Sequence, residues 1–242
     1  MIVLKFSQYL TIGVIFQSGY KLKEMKTARI KNSKEGFTIG KIVCVGRNYA
    51  EHAKELGNEV PDKPVLFLKP ASALIYSGGE IIHPDYGNEL HHEVELVMLI
   101  GEMVKKVNKV EAEKAIIGYG VGLDMTLRDV QNELKKKGNP WTLAKCFDTS
   151  AVISDFVLKK NYQLKPDEKL ELKVNGIVKQ NESLKGMIFN PAEIVEYISS
   201  VMTLEKGDLI YTGTPAGVSR VNRGDKLEAK LGEIAEIVCK VI

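Results

Sequence analysis

The chain has 242 residues, with 34 Lys or Arg against 31 Asp or Glu, a formal net charge of +3, 44% hydrophobic and 27% charged content. That length suits one sizeable domain, or a main domain with a small appendage, and the composition is that of a globular protein with a buried core. So even a charge balance argues against a polyanionic partner, and we expect no nucleic-acid role.

In chain order, the opening MIVLKFSQYLTIGVIF is apolar but is broken by Lys5, Ser7, Gln8 and Thr11. No small-residue cleavage site follows before Gly19 and Tyr20, and no run reaches the length of a membrane span, so the expectation is a soluble cytoplasmic protein. Residues 1–40 read as a small N-terminal β segment that packs onto a catalytic domain over 41–242. KIVCVG is a buried strand ended by Gly46. NYAEHAKELG is a short helix with Ala50, Ala53 and Leu56 as its stripe and Gly57 as its stop. PVLFLKP is a short apolar run bracketed by Pro64 and Pro70. ELHHEVELVMLIG reads as one long strand in which Val94, Leu96 and Met98 alternate with Glu93, Glu95 and Val97. Residues 110–117 suit a helix leading into the strand IGYGVGLDMT.

Thr126 and Asp129 have capping-box spacing, and LRDVQNELKKK continues as a helix to Gly138; Lys135, Lys136 and Lys137 suit its dipole. Asn190-Pro191 with Glu193 opens another helix, running to about Met202. From Asp208 onward come short strands with turns at Gly213, Gly217, Gly224 and Gly232. Strands outnumber helices and do not alternate with them, which predicts an α+β domain on a folded-over, mainly antiparallel β-scaffold. Cys44, Cys146 and Cys239 form no CxxC pair, arguing against a disulfide framework or structural zinc and for small core residues in a reducing compartment.

The chemistry concentrates in His91-His92-Glu93-Val94-Glu95. In a strand Glu93 and Glu95 share one face, about 7 Å apart at Cα. Such a pair is either the solvent-facing side of an amphipathic strand or two oxygen ligands for a hard cation. Asp124, at the end of GYGVGL, is either a helix N-terminal acid or a third carboxylate of that site. GYGVG lacks the GxGxxG spacing of a dinucleotide fingerprint. His52 and Glu55 are three apart on one helix face, as an exposed pair or as a carboxylate-oriented base. Arg47, one residue past the Gly46 turn, is a candidate to hold a carboxylate bidentately, though alone it counts for little. Lys145, among Trp141, Leu143 and Phe147, either snorkels or partners an anion. YTGTPAGV carries Thr212 and Thr214 in a tight turn that either binds an anionic end of a substrate or is simply a turn.

Taken together, VGRNYAEHAKELG, PVLFLKP, HHEVELVMLIG, GYGVGLDMTLRDVQ, PWTLAKCFD and GDLIYTGTPAGV resemble the fumarylacetoacetate hydrolase family over about residues 40–240, most closely its short acylpyruvase and oxaloacetate decarboxylase members. The resemblance implies a mixed β-roll, usually a homodimer, with a lid helix that orders over substrate. It places divalent-metal ligands on Glu93, Glu95 and Asp124, a lid dyad on His52 and Glu55, and an active-site lysine on Lys145. Substrate-carboxylate contacts fall on Arg47, Arg128 and Gln131, and the threonine of the turn on Thr214. Longer members carry a further aspartate ligand upstream of the dyad histidine; KIVCVGRNY has no acid, which turns the expectation away from fumarylacetoacetate itself.

The implied reaction is Mg²⁺- or Mn²⁺-dependent cleavage of a small 2-oxo carboxylate through a metal-stabilised enolate, by acylpyruvate hydrolysis, oxaloacetate decarboxylation or both. The alternatives are an isomerase or decarboxylase of a 2-hydroxyhepta-2,4-diene-1,7-dioate-type diacid in aromatic breakdown, and a catalytically inactive metal- or ligand-binding protein.

Overall fold

The computed structural model describes residues 25–242 apart from Leu56 and Asn58, so strands expected before residue 25 lie outside the described residues. The larger sheet runs in the order Val65–Pro70, Lys41–Gly46, Leu209–Tyr211, Val94–Ile100, Ile116–Asp124, Ala151–Ile153 and Leu74–Tyr76, with Val157–Leu158 also pairing to Ile116–Asp124. The smaller runs Ile177–Ser183, Lys169–Val174, Lys226–Leu231, Ala235–Val241 and Glu80–Ile81. Most pairs are antiparallel, but Leu209–Tyr211 runs parallel to Lys41–Gly46, Ala151–Ile153 to Leu74–Tyr76, and Ala235–Val241 to Glu80–Ile81. The fold is therefore a mixed α+β architecture with few, short helices, as expected.

The strand Val94–Ile100 is buried on both faces. Leu96 and Met98 join one cluster with Leu172, Leu227, Ala229 and Ile237 of the smaller sheet. Val97 and Leu99 join a second, with Ile42, Cys44, Phe156 and Tyr211. Ala28 and Ile30 belong to that second cluster, and the hairpin Thr27–Arg29 with Gly36–Thr38 carries them over the outer face of the sheet. A three-residue hairpin strand has too little apolar area to stand alone, and covering a sheet face is how it becomes stable.

Three local expectations are corrected. First, the long strand is interrupted: Leu90–His91 pairs with Thr126–Leu127, and the ladder resumes at Val94. The break falls at His92, which leaves the ladder for a buried side-chain network: its Nδ1 donates to Gln180 Oε1 (2.9 Å) and Ser219 Oγ lies 2.9 Å from Nε2. Second, the Thr126–Asp129 capping box does not form. The helix is Arg128–Lys136, Thr126 Oγ1 donates to the Asp124 carbonyl (3.3 Å), and Asp129 accepts from Asn88 N (2.7 Å). The capping boxes on Asn190 and, unforeseen, on Asn108 are both complete. Third, Cys44 and Cys239 are core residues but Cys146 is only half-buried.

The glycines of GYGVG answer to packing. A Cβ on Gly122 would stand 2.5 Å from Val97 Cγ2 and 2.6 Å from the Tyr211 ring, and one on Gly120 would stand 2.9 Å from Ser154 Oγ. Gly122 thus leaves room for the Tyr211 ring, whose hydroxyl donates to the Val152 carbonyl at 2.9 Å. Gly122→Ala is expected to lower the unfolding free energy by about 1–3 kcal/mol through overpacking. Urea unfolding followed by fluorescence checks it; unchanged stability contradicts the packing role.

Candidate active site

Four adjacent strands end at one edge of the larger sheet. Lys41–Gly46, Leu209–Tyr211 and Ile116–Asp124 finish there, and Val94–Ile100 begins there. Register then does the assembly. Asp124 N donates to the Glu93 carbonyl at 2.9 Å, and Gly213 N donates to Glu95 Oε2 at 2.7 Å. Ligand atoms of Glu93, Glu95 and Asp124 consequently lie within 4.8 Å of one another, all three residues buried. The solvent-facing reading of the two glutamates and the helix-dipole reading of Asp124 are both excluded.

Three buried cations surround these acids. Lys145 Nζ donates to Glu93 Oε2 (2.8 Å) and Asp124 Oδ2 (2.6 Å), so Lys145 partners anions and does not snorkel. Arg128 Nη2 donates to Glu93 Oε1, and its Nη1 to Gln131 Oε1 (2.6 Å). Lys69, which sequence reasoning missed, is 1% exposed, with Nζ 2.8 Å from Asp124 Oδ1. The missed signal was a single lysine in the apolar run PVLFLKP, two residues from Phe67 and so on its face of the strand.

The electrostatics single out Glu95. Burial would raise the Glu93 carboxyl, but Lys145 and Arg128 outweigh it and hold it well below the usual carboxylate range. For Lys145, burial lowers the ammonium while Asp124 and Glu93 win and raise it. Burial, then Asp124 and Glu93, push the Glu95 carboxyl well above its ordinary value. Asp124 Oδ1, despite its ion-pair approach to Lys69, receives no directed hydrogen bond. A hard divalent cation fits these observations: it takes carboxylate oxygens, relieves the repulsion on Glu95 and gives Asp124 Oδ1 a partner.

Above the acids lies a narrow pocket whose wall includes His52, Arg47, Arg128, Gln131, Lys145 and Thr214, together with the three carboxylates. The helix Ala50–Glu55 places His52 Nδ1 3.3 Å from Glu55 Oε2. A carboxylate only accepts, so Nδ1 carries the proton and Nε2 keeps its lone pair. Glu55 in turn accepts from Gly217 N at 3.1 Å, tying the helix to the TGTPAG turn. Burial lowers the His52 imidazole below its ordinary 6.5, with Glu93 and Glu55 pulling the other way. The pair is therefore a buried imidazole backed by a carboxylate, not a solvated surface pair.

The turn is held from behind. Gly213 has φ +96°, and a Cβ there would sit 2.7 Å from Asn48 Cβ. Buried Asn48 donates to the carbonyls of Thr212 (2.7 Å) and Phe189 (3.0 Å) and accepts from Phe189 N (2.7 Å). Its neighbour Arg47 takes φ 60°, a left-handed conformation unusual outside glycine and asparagine, and is one of the residues lining the pocket. Thr214 Oγ1 donates to the Val94 carbonyl (2.8 Å) and accepts from Gln180 Nε2 (2.8 Å), so its hydroxyl proton is already engaged. Thr212 is also engaged, donating to the Leu96 carbonyl at 3.0 Å, and does not line the pocket. Arg128 Nε is buried without an acceptor, and the Gln131 amide protons are free of its bond to Arg128. Lys135 and Trp141 complete the wall. Burial, then the guanidiniums of Arg128 and Arg47, push the Lys135 ammonium down to about 8.

The chain is 46% identical over 200 residues to oxaloacetate tautomerase FAHD1, mitochondrial, of Homo sapiens, covering 83% of this chain and 90% of that one. It is 50% identical over 198 residues to the Arabidopsis thaliana protein of the same name, covering 81% and 88%. In three dimensions it is similar to fumarylpyruvate hydrolase from Pseudomonas aeruginosa, solved in complex with Mn²⁺ and pyruvate, with TM-score 0.88 at 33% identity over 93% of this chain and 99% of that one. It also resembles 2-hydroxyhepta-2,4-diene-1,7-dioate isomerase from Mycobacterium marinum, with TM-score 0.74 at 36% identity over 85% and 75%. Residues 41–242, from the first strand of the larger sheet to the C-terminus, match the Fumarylacetoacetate (FAA) hydrolase C-terminal description, and the chain belongs to that family.

Proposed function

We propose that this chain is a divalent-metal enzyme that converts a small 2-oxo acid into its enolate, with oxaloacetate keto–enol interconversion as its first reaction. The observation that carries the reading is the convergence of Glu93, Glu95 and Asp124 beneath a cavity that also receives the His52–Glu55 pair. The named relatives, oxaloacetate tautomerases at 46–50% identity, support the choice of substrate. Glu93, Glu95 and Asp124 would hold Mg²⁺ or Mn²⁺. Bound there, such an ion supplies a Lewis acid for the keto oxygen and a dock for the adjacent carboxylate.

The chain's own groups do the rest. Arg47, Gln131 and the unpaired Nε of Arg128 hold the substrate carboxylate. His52 Nε2 takes a proton from C3; the C–H pair moves into the C2–C3 bond and the carbonyl pair onto the C2 oxygen. Lys145 offsets the charge on that oxygen, and the proton returns to it to give the enol.

The same site supports cleavage as a second reading, favoured by the fold shared with a fumarylpyruvate hydrolase. There His52 would deprotonate a water that attacks the distal carbonyl, and the C3–C4 pair would move into the enolate. Oxaloacetate decarboxylation needs no such water, because CO₂ leaves with its own carbonyls formed. A homodimer, implied by the resemblance, is part of this proposal.

Two variants test it. Glu95→Gln should weaken Mg²⁺ binding, followed by calorimetry, and lower turnover of oxaloacetate more than about 100-fold. Full activity in excess chelator would overturn the metal role. His52→Gln should lower turnover about 10²–10⁴-fold while leaving Mg²⁺ affinity intact. Since the base works only when neutral and burial lowers it from its ordinary 6.5, the acid limb of wild-type activity should be centred below pH 6.5. An acid limb centred above 6.5 contradicts His52 as the base.

A further inference from the structure

Lys135 is a cation of the cavity wall to which the reading above gives no task. It was expected to serve only the dipole at the C-terminus of the helix Arg128–Lys136. It lies seven residues after Arg128 and four after Gln131, so the three project from one helix face. Helical side chains lean toward the helix N-terminus, which carries the lysine stem back toward Arg128 and over the cavity. The structure agrees: Lys135 is half-buried, lines the same cavity as His52 and Glu93, and its Nζ sits 5.3 Å from the centroid of the Trp141 ring. Among the described residues no carboxylate lies within ion-pair distance of it, whereas Lys137, on the same helix, pairs with Glu133 at 2.6 Å.

The charges of the site say what such a cation is for. With Glu95 ionised, as a bound cation requires, Glu93, Glu95 and Asp124 carry three negative charges, and Lys69, Lys145 and Arg128, each paired with Glu93 or Asp124, carry three positive ones. The charge of a divalent cation then comes on top of a balanced cluster, and Arg47 and Lys135 add two further positive charges at the cavity wall, against one negative charge on Glu55 behind His52. A loaded site is thus positive by more than one carboxylate can offset. A substrate with two carboxylates matches it better than one with a neutral acyl end.

We infer that Lys135, seated against Trp141, is the specificity residue that receives the second, distal carboxylate of a 2-oxo dicarboxylate substrate. This rests on the proposed function and narrows its substrate class to diacids of oxaloacetate type. The ring lies on one side of the ammonium, and Lys135 lines the cavity with no ion-pair partner among the described residues, which leaves its charge available to an anion there.

Steady-state kinetics of the Mg²⁺-loaded enzyme with oxaloacetate and with acetylpyruvate test it, alongside calorimetric binding of oxalate, which has no distal arm. Lys135→Met should raise KM for oxaloacetate about 5- to 20-fold, the loss of one charge-assisted contact. It should leave KM for acetylpyruvate and Kd for oxalate unchanged, and Lys135→Arg should restore most of the oxaloacetate KM. If both KM values move together, or neither moves, the inference is overturned while the proposed function stands. Wild-type protein that turns over neither substrate overturns the proposed function and takes this inference with it.

Discussion

Three carboxylates gathered within 4.8 Å of one another inside a protein repel strongly, and the architecture around this site follows from containing that repulsion. Water cannot screen them, so fixed cations must. Lys69 comes from the edge strand Val65–Pro70, Arg128 from the first turn of its helix and Lys145 from the short helix Thr142–Lys145. Each element is anchored at the site by a charge as well as by apolar packing. Glu95 is the exception, accepting one backbone N–H from Gly213 and making no ion pair with a lysine or arginine among the described residues. The residual strain of the cluster is therefore concentrated on a single carboxylate facing the cavity.

That dependence passes outward through backbone groups. Gly213 can serve Glu95 only because it lacks a Cβ against Asn48, and Asn48 in turn fastens the Thr212 carbonyl and Phe189. Gly217, four residues on, holds Glu55 and with it His52. The His52–Glu55 pair is thus registered to the carboxylates through the turn between them. Buried polar chains of this sort are costly when one member is removed, because its partners lose their bonds without regaining water.

The separate motifs were legible in the sequence because each carries a local signature: carboxylates two apart in a strand, His52 and Glu55 three apart in a helix, a capping box at Asn190. The break at His92 was not, because its cause is Gln180, 88 residues away. Nor was the failure of the Thr126–Asp129 box, since Asp129 is claimed by Asn88 and the chain at Thr126 by pairing with His91. Local spacing proposes a partner, and a distant strand outbids it. Lys69 and Lys135 escaped for a related reason. A lysine has the same sequence appearance whether it snorkels, soothes a helix end or neutralises a buried acid, and only the sheet order brings Lys69 to Asp124.

The two ends of the cavity are under different constraints. At the floor, substituting any of the five paired charges, Glu93, Asp124, Lys69, Lys145 or Arg128, leaves its partners buried and unanswered, so this end can change little without losing the fold around it. At the mouth, Arg47 and Lys135 are half-exposed and make no ion pair among the described residues, so they can be exchanged at small structural cost. On the proposed reading, a fixed floor with an exchangeable mouth would let one scaffold serve several reactions by changing what lies beyond C3 of the substrate. The relatives' names, an oxaloacetate tautomerase, a fumarylpyruvate hydrolase and a heptadienedioate isomerase, span three such reactions, and each names a substrate with a carboxylate at its far end.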